Sequence, residues 1–338
     1  VLTDEYLERE QLDAEEILAW LAEQPWCDGR TSMMGLSWGG FAALQVAARR
    51  PPSLGTIIIS SFTDDRYGDD FHYMGGCLLS DNLAEAGTLF SAATCPPDPA
   101  TVGDAWREMW RERLEATEPW VLEWLRHQRR DDYWRHASVS EDYSQVRCPV
   151  LASSGWADGY SNAVFRLLEN LEAPAQGLIG PWSHRYPHMG APGPAIGYLQ
   201  EVVRWLDHWL KGVDNDVDAG PSLWAWMQDS VPPSTAYKER PGRWVREQKW
   251  PSPGVEDTAY PLARYRIGRP GEEVSAESLT LRSPLTVGQF AGKWASYNAP
   301  PDLPYDQREE DGGSLVFDSD VLSEDVEILG APEVELDV

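Results

Sequence analysis

The sequence predicts an α/β fold built on a parallel sheet, interrupted by a helical insertion and followed by an all-β domain. Four short runs, "RTSMMGLS" at 30–37, "GTIIIS" at 55–60, "CPVLASSG" at 148–155 and "AQGLIGP" at 175–181, are apolar on both faces. Strands of that kind sit in a parallel sheet covered by helices. A stretch rich in tryptophan and charge separates the second run from the third, and beyond Asp218 the pattern changes to short alternating runs broken by Pro and Gly turns, which is the pattern of an all-β unit.

Taken in order, residues 6–23 carry Leu7, Ala14, Ile17, Leu18 and Leu21 at helical spacing and end before Pro25, so a helix comes first. After the strand at 30–37, Phe41 to Ala48 continues as an alanine-rich helix stopped by Pro51 and Pro52. Within "DAWREMWRERLEATEPWVLEWLRHQRRDDYW", helical spacing runs through Trp106, Met109, Trp110 and Leu114, then Trp120, Trp124 and Leu125. This reads as a helical cap. A helix over 195–211 presents Ile196, Leu199, Val203, Leu206 and Leu210, and Gly212 ends it. The runs "SLWAWMQ", "RWVREQKW", "YPLARYRI", "SLTLR" and "SLVFDSDV" follow at loose spacing without a fixed repeat, and a jelly roll is expected from them. The predicted division is 1–82 and 145–216 for the sheet domain, 83–144 for the cap, and 217–338 for the β domain.

At 338 residues the chain is long enough for two packed units. Hydrophobic residues at 42% supply the core, and no run approaches the roughly 18 apolar residues of a membrane span. A net charge of -27 would repel phosphate backbones and anionic lipid, so neither nucleic acid nor membrane is expected as a partner. Lysine occurs only at Lys211, Lys238, Lys249 and Lys293, consistent with solubility tuning or with a coding preference for arginine. Cys27, Cys77, Cys95 and Cys148 lack CxxC spacing and read as free thiols. The chain opens at Val1 without a methionine, a charged n-region or an apolar h-region, so neither a signal peptide nor its absence is legible, and both ends look like truncation points. A cytoplasmic location is the working expectation; oligomeric state is not legible.

Chemistry enters at "GLSWGG", 35–40, which fits G-x-S-x-G between a predicted strand and a predicted helix. In that context the serine sits on a strained turn, and flanking glycines keep side chains clear of neighbouring elements. Ser37 is therefore the expected nucleophile. Its partners should follow as acid then histidine, each on a loop after a strand. Asp158 follows "PVLASSG" in "GWADGY", and His184 follows "GLIG" in "GPWSHRYPH". Asp158 also suits a helix N-cap, and His188 competes with His184 from the same loop. A metal site on the two histidines would need a third ligand that no spacing supplies. The backbone N–H of Trp38 is the expected oxyanion donor, and the second donor would come from residues before Val1.

The strings "GLSWGG", "GWADGY" and "GPWSHRYPH", with a cap between the first two and a β domain after the third, resemble the cocaine esterase and X-Pro dipeptidyl-peptidase family, also called CocE/NonD hydrolases. That resemblance implies an α/β-hydrolase domain with a helical cap insertion, followed by an all-β jelly-roll domain, and acyl-enzyme chemistry on esters or amides without a cofactor. It implies a tyrosine hydroxyl from an earlier strand as the second oxyanion donor. "GDDFHYMGG" at 68–76 is similar to a segment of α-amino acid ester hydrolases in which an aspartate helps hold the substrate ammonium, which makes Asp70 a candidate substrate-binding residue. The competing reading is a solvated loop carboxylate.

The expected function is that of a serine hydrolase acting on a small ester or amide, with tryptophans of the cap and β domain walling an apolar acyl pocket. Alternatives are an X-Pro dipeptidyl-peptidase, an α-amino acid ester hydrolase, or a non-catalytic binding module on the same fold. Tyr160 and Ser161 stand where the amino acid ester hydrolases carry an acidic pair, which favours esters without a free α-amino group.

Overall fold

The computed structural model describes residues 2–293 and 303–337. Helix α1 (Glu8–Ala22) leads to β1 (Thr31–Leu36), α2 (Trp38–Arg49) and β2 (Leu54–Ser60). Helix α2 stops where expected, at Arg50, which takes a left-handed conformation just before Pro51. The α1 stripe is narrower than its sequence pattern. Leu18 is buried beside Gln11, whereas Ile17 and Trp20 are exposed.

A long excursion then leaves the sheet. It contains a short hairpin, β3 (Tyr73–Met74) with β4 (Cys77–Leu78), and the helices α3 (Asp81–Ala93), α4 (Pro99–Val102), α5 (Trp106–Ala116), α6 (Val121–Trp124) and α7 (Asp132–Arg135). Phe71, Tyr73, Ala86, Trp120, Trp124 and Trp134 form its own core. Trp124 and Trp134 are fully buried there, and Trp106 and Trp110 stack on each other. Most of the cap's tryptophans thus hold the cap together, and Trp120 is the one that reaches Trp38 beside the elbow, at 6.3 Å between ring centroids.

The chain returns through β5 (Val150–Gly155), α8 (Ser161–Asn170), β6 (Ala175–Gly180) and α9 (Tyr198–Lys211), then β7 (Leu223–Gln228) and β8 (Gly242–Glu247). These complete a six-stranded sheet in the order β1-β2-β5-β6-β7-β8. Every pair is parallel up to β7, and β8 runs antiparallel to it. Helix α9 ends at a left-handed Gly212, as its sequence predicts. Its buried face, however, is Tyr198, Val202 and Trp205, while Leu199 and Val203 face solvent. The helix carries apolar residues on two faces, and packing against Ile58, Leu151 and Leu178 decides which is covered.

The sheet also crosses the predicted boundary at 217. "SLWAWMQ" and "RWVREQKW", read as the first strands of the β domain, supply β7 and β8. Alternation reports a paired, half-buried strand but not the sheet it joins. Leu223 and Ala225 enter the main core, and Trp224 packs on the α9 side, so β7 is covered on both faces. Further on, the described residues contain one small hairpin, β9 (Leu262–Ala263) with β10 (Arg266–Ile267), joined by a single bridge from Arg266 to Asp318. Among the described residues no helix is long and apolar enough to cross a membrane.

Candidate active site

The carboxyl ends of β1, β5 and β6 lie along one edge of the sheet, and the three predicted catalytic side chains emerge there. Ser37 sits between β1 and α2 with φ 56°. That left-handed geometry is disfavoured for a residue with a side chain and marks the strained turn the motif predicts. The surrounding glycines divide the task unequally. A Cβ on Gly35 would meet the carbonyl carbon of Gly39 at 2.1 Å, and one on Gly40 would meet the Ser60 carbonyl oxygen at 3.1 Å, but one on Gly39 would meet nothing within 4 Å. Close approach of strand to helix, not the second glycine of the motif, sets the requirement. The Ser37 N–H donates to the Ser60 carbonyl at 3.0 Å, tying the turn to β2.

Asp158 and His184 meet as expected. Nδ1 of His184 lies 3.1 Å from Oδ1 and 3.3 Å from Oδ2 of Asp158, and both residues are buried. The Ser154 hydroxyl donates to Oδ2 at 3.3 Å, and the Tyr160 N–H donates to Oδ1 at 3.3 Å. Asp158 is therefore not the N-cap of α8; that position falls to Tyr160, without a side-chain cap. His184, not His188, is the histidine hydrogen-bonded to Asp158. The His188 ring stacks with Tyr186 and Tyr198.

The histidine loop owes its position to Trp182, which is fully buried and donates through Nε1 to the Pro194 carbonyl at 2.8 Å. A Cβ at Gly155, Gly180 or Gly190 would come within 2.0 to 2.3 Å of Trp182 atoms. The indole is thus seated against the backbone at Gly180 and Gly190 and packs on the ring of Trp244, while Gly155 meets the Trp182 backbone. The Ala157 N–H donates to the Trp182 carbonyl at 3.0 Å, joining the acid loop to the histidine loop.

Trp38 opens α2 directly after Ser37, and its ring is held by Tyr6 at 5.0 Å. Asp70 is not a solvated carboxylate. It is fully buried, and its Oδ1 accepts from the Tyr160 hydroxyl at 3.0 Å and from the Phe71 N–H at 2.7 Å. Burial pushes its pKa up to about 7; His72 works against this and Glu5 adds to it. Neighbouring Asp69 pairs with Arg166 at 2.6 Å, and Asp65 accepts the N–H groups of Tyr67 and Gly68 in its own turn.

Sequence reasoning missed the charged network behind this loop. Glu5 Oε1 takes Arg66 at 2.5 Å and His72 Nε2 at 2.9 Å, with all three side chains buried. His72 Nδ1 faces Asn82 Oδ1 at 3.1 Å. Burial works to raise the Glu5 pKa, but His72 and Arg66 outweigh it and bring it down to about 2. Asp4, beside Glu5, accepts from Tyr133 at 2.8 Å and Trp124 at 3.2 Å. The segment before α1 therefore pins the cap to the sheet domain. The available signal was Arg66, Asp69, Asp70 and His72 crowding the loop just after a buried strand.

A cleft of about 430 Å³ borders the acid loop, lined in part by Trp156, Asp158, Gln228, Tyr237 and Arg240. Among the described residues no group of three or more His, Cys, Asp or Glu is placed to hold a metal ion.

Comparison with known proteins bears on the family and the fold. The pattern of X-Pro dipeptidyl-peptidase (S15 family) matches residues 2–186, and that of the X-Pro dipeptidyl-peptidase C-terminal non-catalytic domain matches 215–338. A cocaine esterase from Rhodococcus sp. (strain MB1 Bresler) is 26% identical over 97% of this chain and 63% of its own length. A putative Xaa-Pro dipeptidyl-peptidase from Streptomyces avermitilis is 27% identical over 70% of this chain and 31% of its own. The chain thus spans less than two thirds of the length of these relatives. Among solved structures, a CocE/NonD family hydrolase from Staphylococcus aureus has a TM-score of 0.63 at 18% identity, covering 80% of this chain and 44% of its own, which is a likeness of fold.

Proposed function

Because the chain belongs to the X-Pro dipeptidyl-peptidase S15 family, we propose that it carries the catalytic machinery of a serine hydrolase that cleaves a carboxylic ester or amide through an acyl-enzyme on Ser37, Asp158 and His184. The observation that carries the reading is the buried Asp158–His184 pair at 3.1 Å on the sheet edge where the strained Ser37 elbow emerges. His184 removes the Ser37 proton as the hydroxyl attacks the acyl carbon. Asp158 holds the imidazole tautomer and stabilises the imidazolium. The oxyanion takes the Trp38 N–H as a donor, His184 returns the proton to the leaving group, and water repeats the sequence to release the acid.

An esterase and putative dipeptidyl-peptidases both occur among the relatives, and acyl transfer to serine is the chemistry common to both reactions. For the substrate we favour esters without a free α-amino group. The support is the burial of Asp70 against Tyr160, since a carboxylate facing a substrate ammonium needs an open side. The test is fluorophosphonate labelling of the full-length protein together with turnover of p-nitrophenyl esters. Labelling that maps to Ser37 and disappears in Ser37→Ala is expected; undiminished labelling and turnover in that variant would overturn the reading.

A further inference from the structure

Resting on that reading, we infer that Tyr160 is a positioning residue for the Asp158–His184 pair and that buried Asp70 is the anchor that fixes it. Tyr160 touches both members of the pair. Its N–H donates to Asp158 Oδ1, and its ring lies 5.6 Å from the His184 imidazole between centroids, tilted by 49°. On another side Phe41, in the first turn after the Ser37 elbow, meets the phenol ring edge-on at 5.2 Å. The ring is therefore in contact with the histidine and with the helix that carries the serine.

A phenol packed this way is held against rotation and displacement by its hydroxyl, which donates to Asp70 at 3.0 Å. Asp70 is a firm acceptor because its loop is fixed at several points. Arg166, on the helix that follows Tyr160, binds Asp64 through Nε at 3.0 Å and Asp69 through Nη1 at 2.6 Å. Arg66, four residues before Asp70, donates to the carbonyls of Tyr133 and His136 and to Glu5. Links from the cap and from α8 thus hold the loop that carries Asp70, and its carboxyl meets the catalytic edge through the Tyr160 hydroxyl. A general base must keep its orientation to within a fraction of an ångström through both proton transfers, and loosening the ring that packs on it acts on kcat before it acts on binding.

The test uses the full-length protein with p-nitrophenyl acetate and a fluorophosphonate probe. Tyr160→Phe keeps the ring and removes the anchor; Asp70→Leu removes the acceptor; Asp70→Asn keeps an oxygen to receive the phenol. We expect kcat and the rate of Ser37 labelling to fall about tenfold in Tyr160→Phe and in Asp70→Leu with KM changed less than about twofold, and Asp70→Asn to recover most of both. If one of the first two variants does not fold, the other paired with Asp70→Asn gives the same comparison. Should the wild type label at Ser37 while the variants match it in kcat and labelling rate, or differ only in KM, the positioning role is overturned and the proposed function stands. Absence of labelling at Ser37 in the wild type would overturn both.

Discussion

Asp158 presents both carboxylate oxygens to Nδ1 of His184, at 3.1 and 3.3 Å, and each oxygen is held by a second donor, Ser154 to one and the Tyr160 N–H to the other. The acid is thus fixed before the histidine is considered. Asp158→Asn should leave this geometry nearly intact yet favour the wrong imidazole tautomer. A fall in kcat of about 10³-fold or more is expected in the full-length protein with a folded circular dichroism spectrum. Activity within tenfold of wild type would remove Asp158 from the catalytic role.

At the elbow, the glycines separate by contact. A Cβ at Gly35 collides with backbone at 2.1 Å, whereas one at Gly39 meets nothing. Gly35→Ala is expected to lose soluble, probe-reactive protein. Gly39→Ala lies in α2 and should be neutral or stabilising by about 0.5–1 kcal/mol through helix propensity. Thermal melts of the two variants check this, and equal destabilisation would contradict it.

The Glu5 network should appear in acid unfolding. With the folded pKa at about 2 and the ordinary glutamate value at 4.5, its contribution is present above pH 4.5 and is lost as pH falls toward 2. Glu5→Gln leaves Arg66 and His72 buried without their carboxylate partner and should cost about 3–5 kcal/mol at pH 7. Denaturant melts at pH 7 and pH 3 should show a large gap between wild type and variant at the first and a smaller one at the second.

Asp70 runs in the opposite sense. Its folded pKa of about 7 lies above the ordinary 3.8, so the stability it contributes when protonated is full below about pH 4 and is lost as pH rises toward 7. Asp70→Asn mimics the neutral form. The variant's stability relative to wild type should rise between pH 5 and pH 8, by on the order of a few kcal/mol at most. A difference independent of pH would show that the carboxyl is ionised throughout.

Elements that depend on local pattern are legible from the order of residues alone. β1, β2, β5 and β6 lie where runs apolar on both faces predict them, and helix ends at Arg50 and Gly212 follow from Pro51 and from glycine's tolerance of left-handed backbone. The candidates Ser37, Asp158 and His184 were legible too, because each lies on the turn or loop just beyond the carboxyl end of a strand. Features that depend on partners distant in the chain are not legible there. Which face of α9 is covered, and that β7 and β8 extend the central sheet instead of starting a separate one, depend on what lies across the contact. The same holds for Glu5, Arg66, His72 and Asp70. A charged residue reads as exposed in sequence because burying it alone is costly, and only the fold reveals the partners that offset that cost for Glu5, between Arg66 and His72, and the burial beneath Tyr160 that raises the pKa of Asp70.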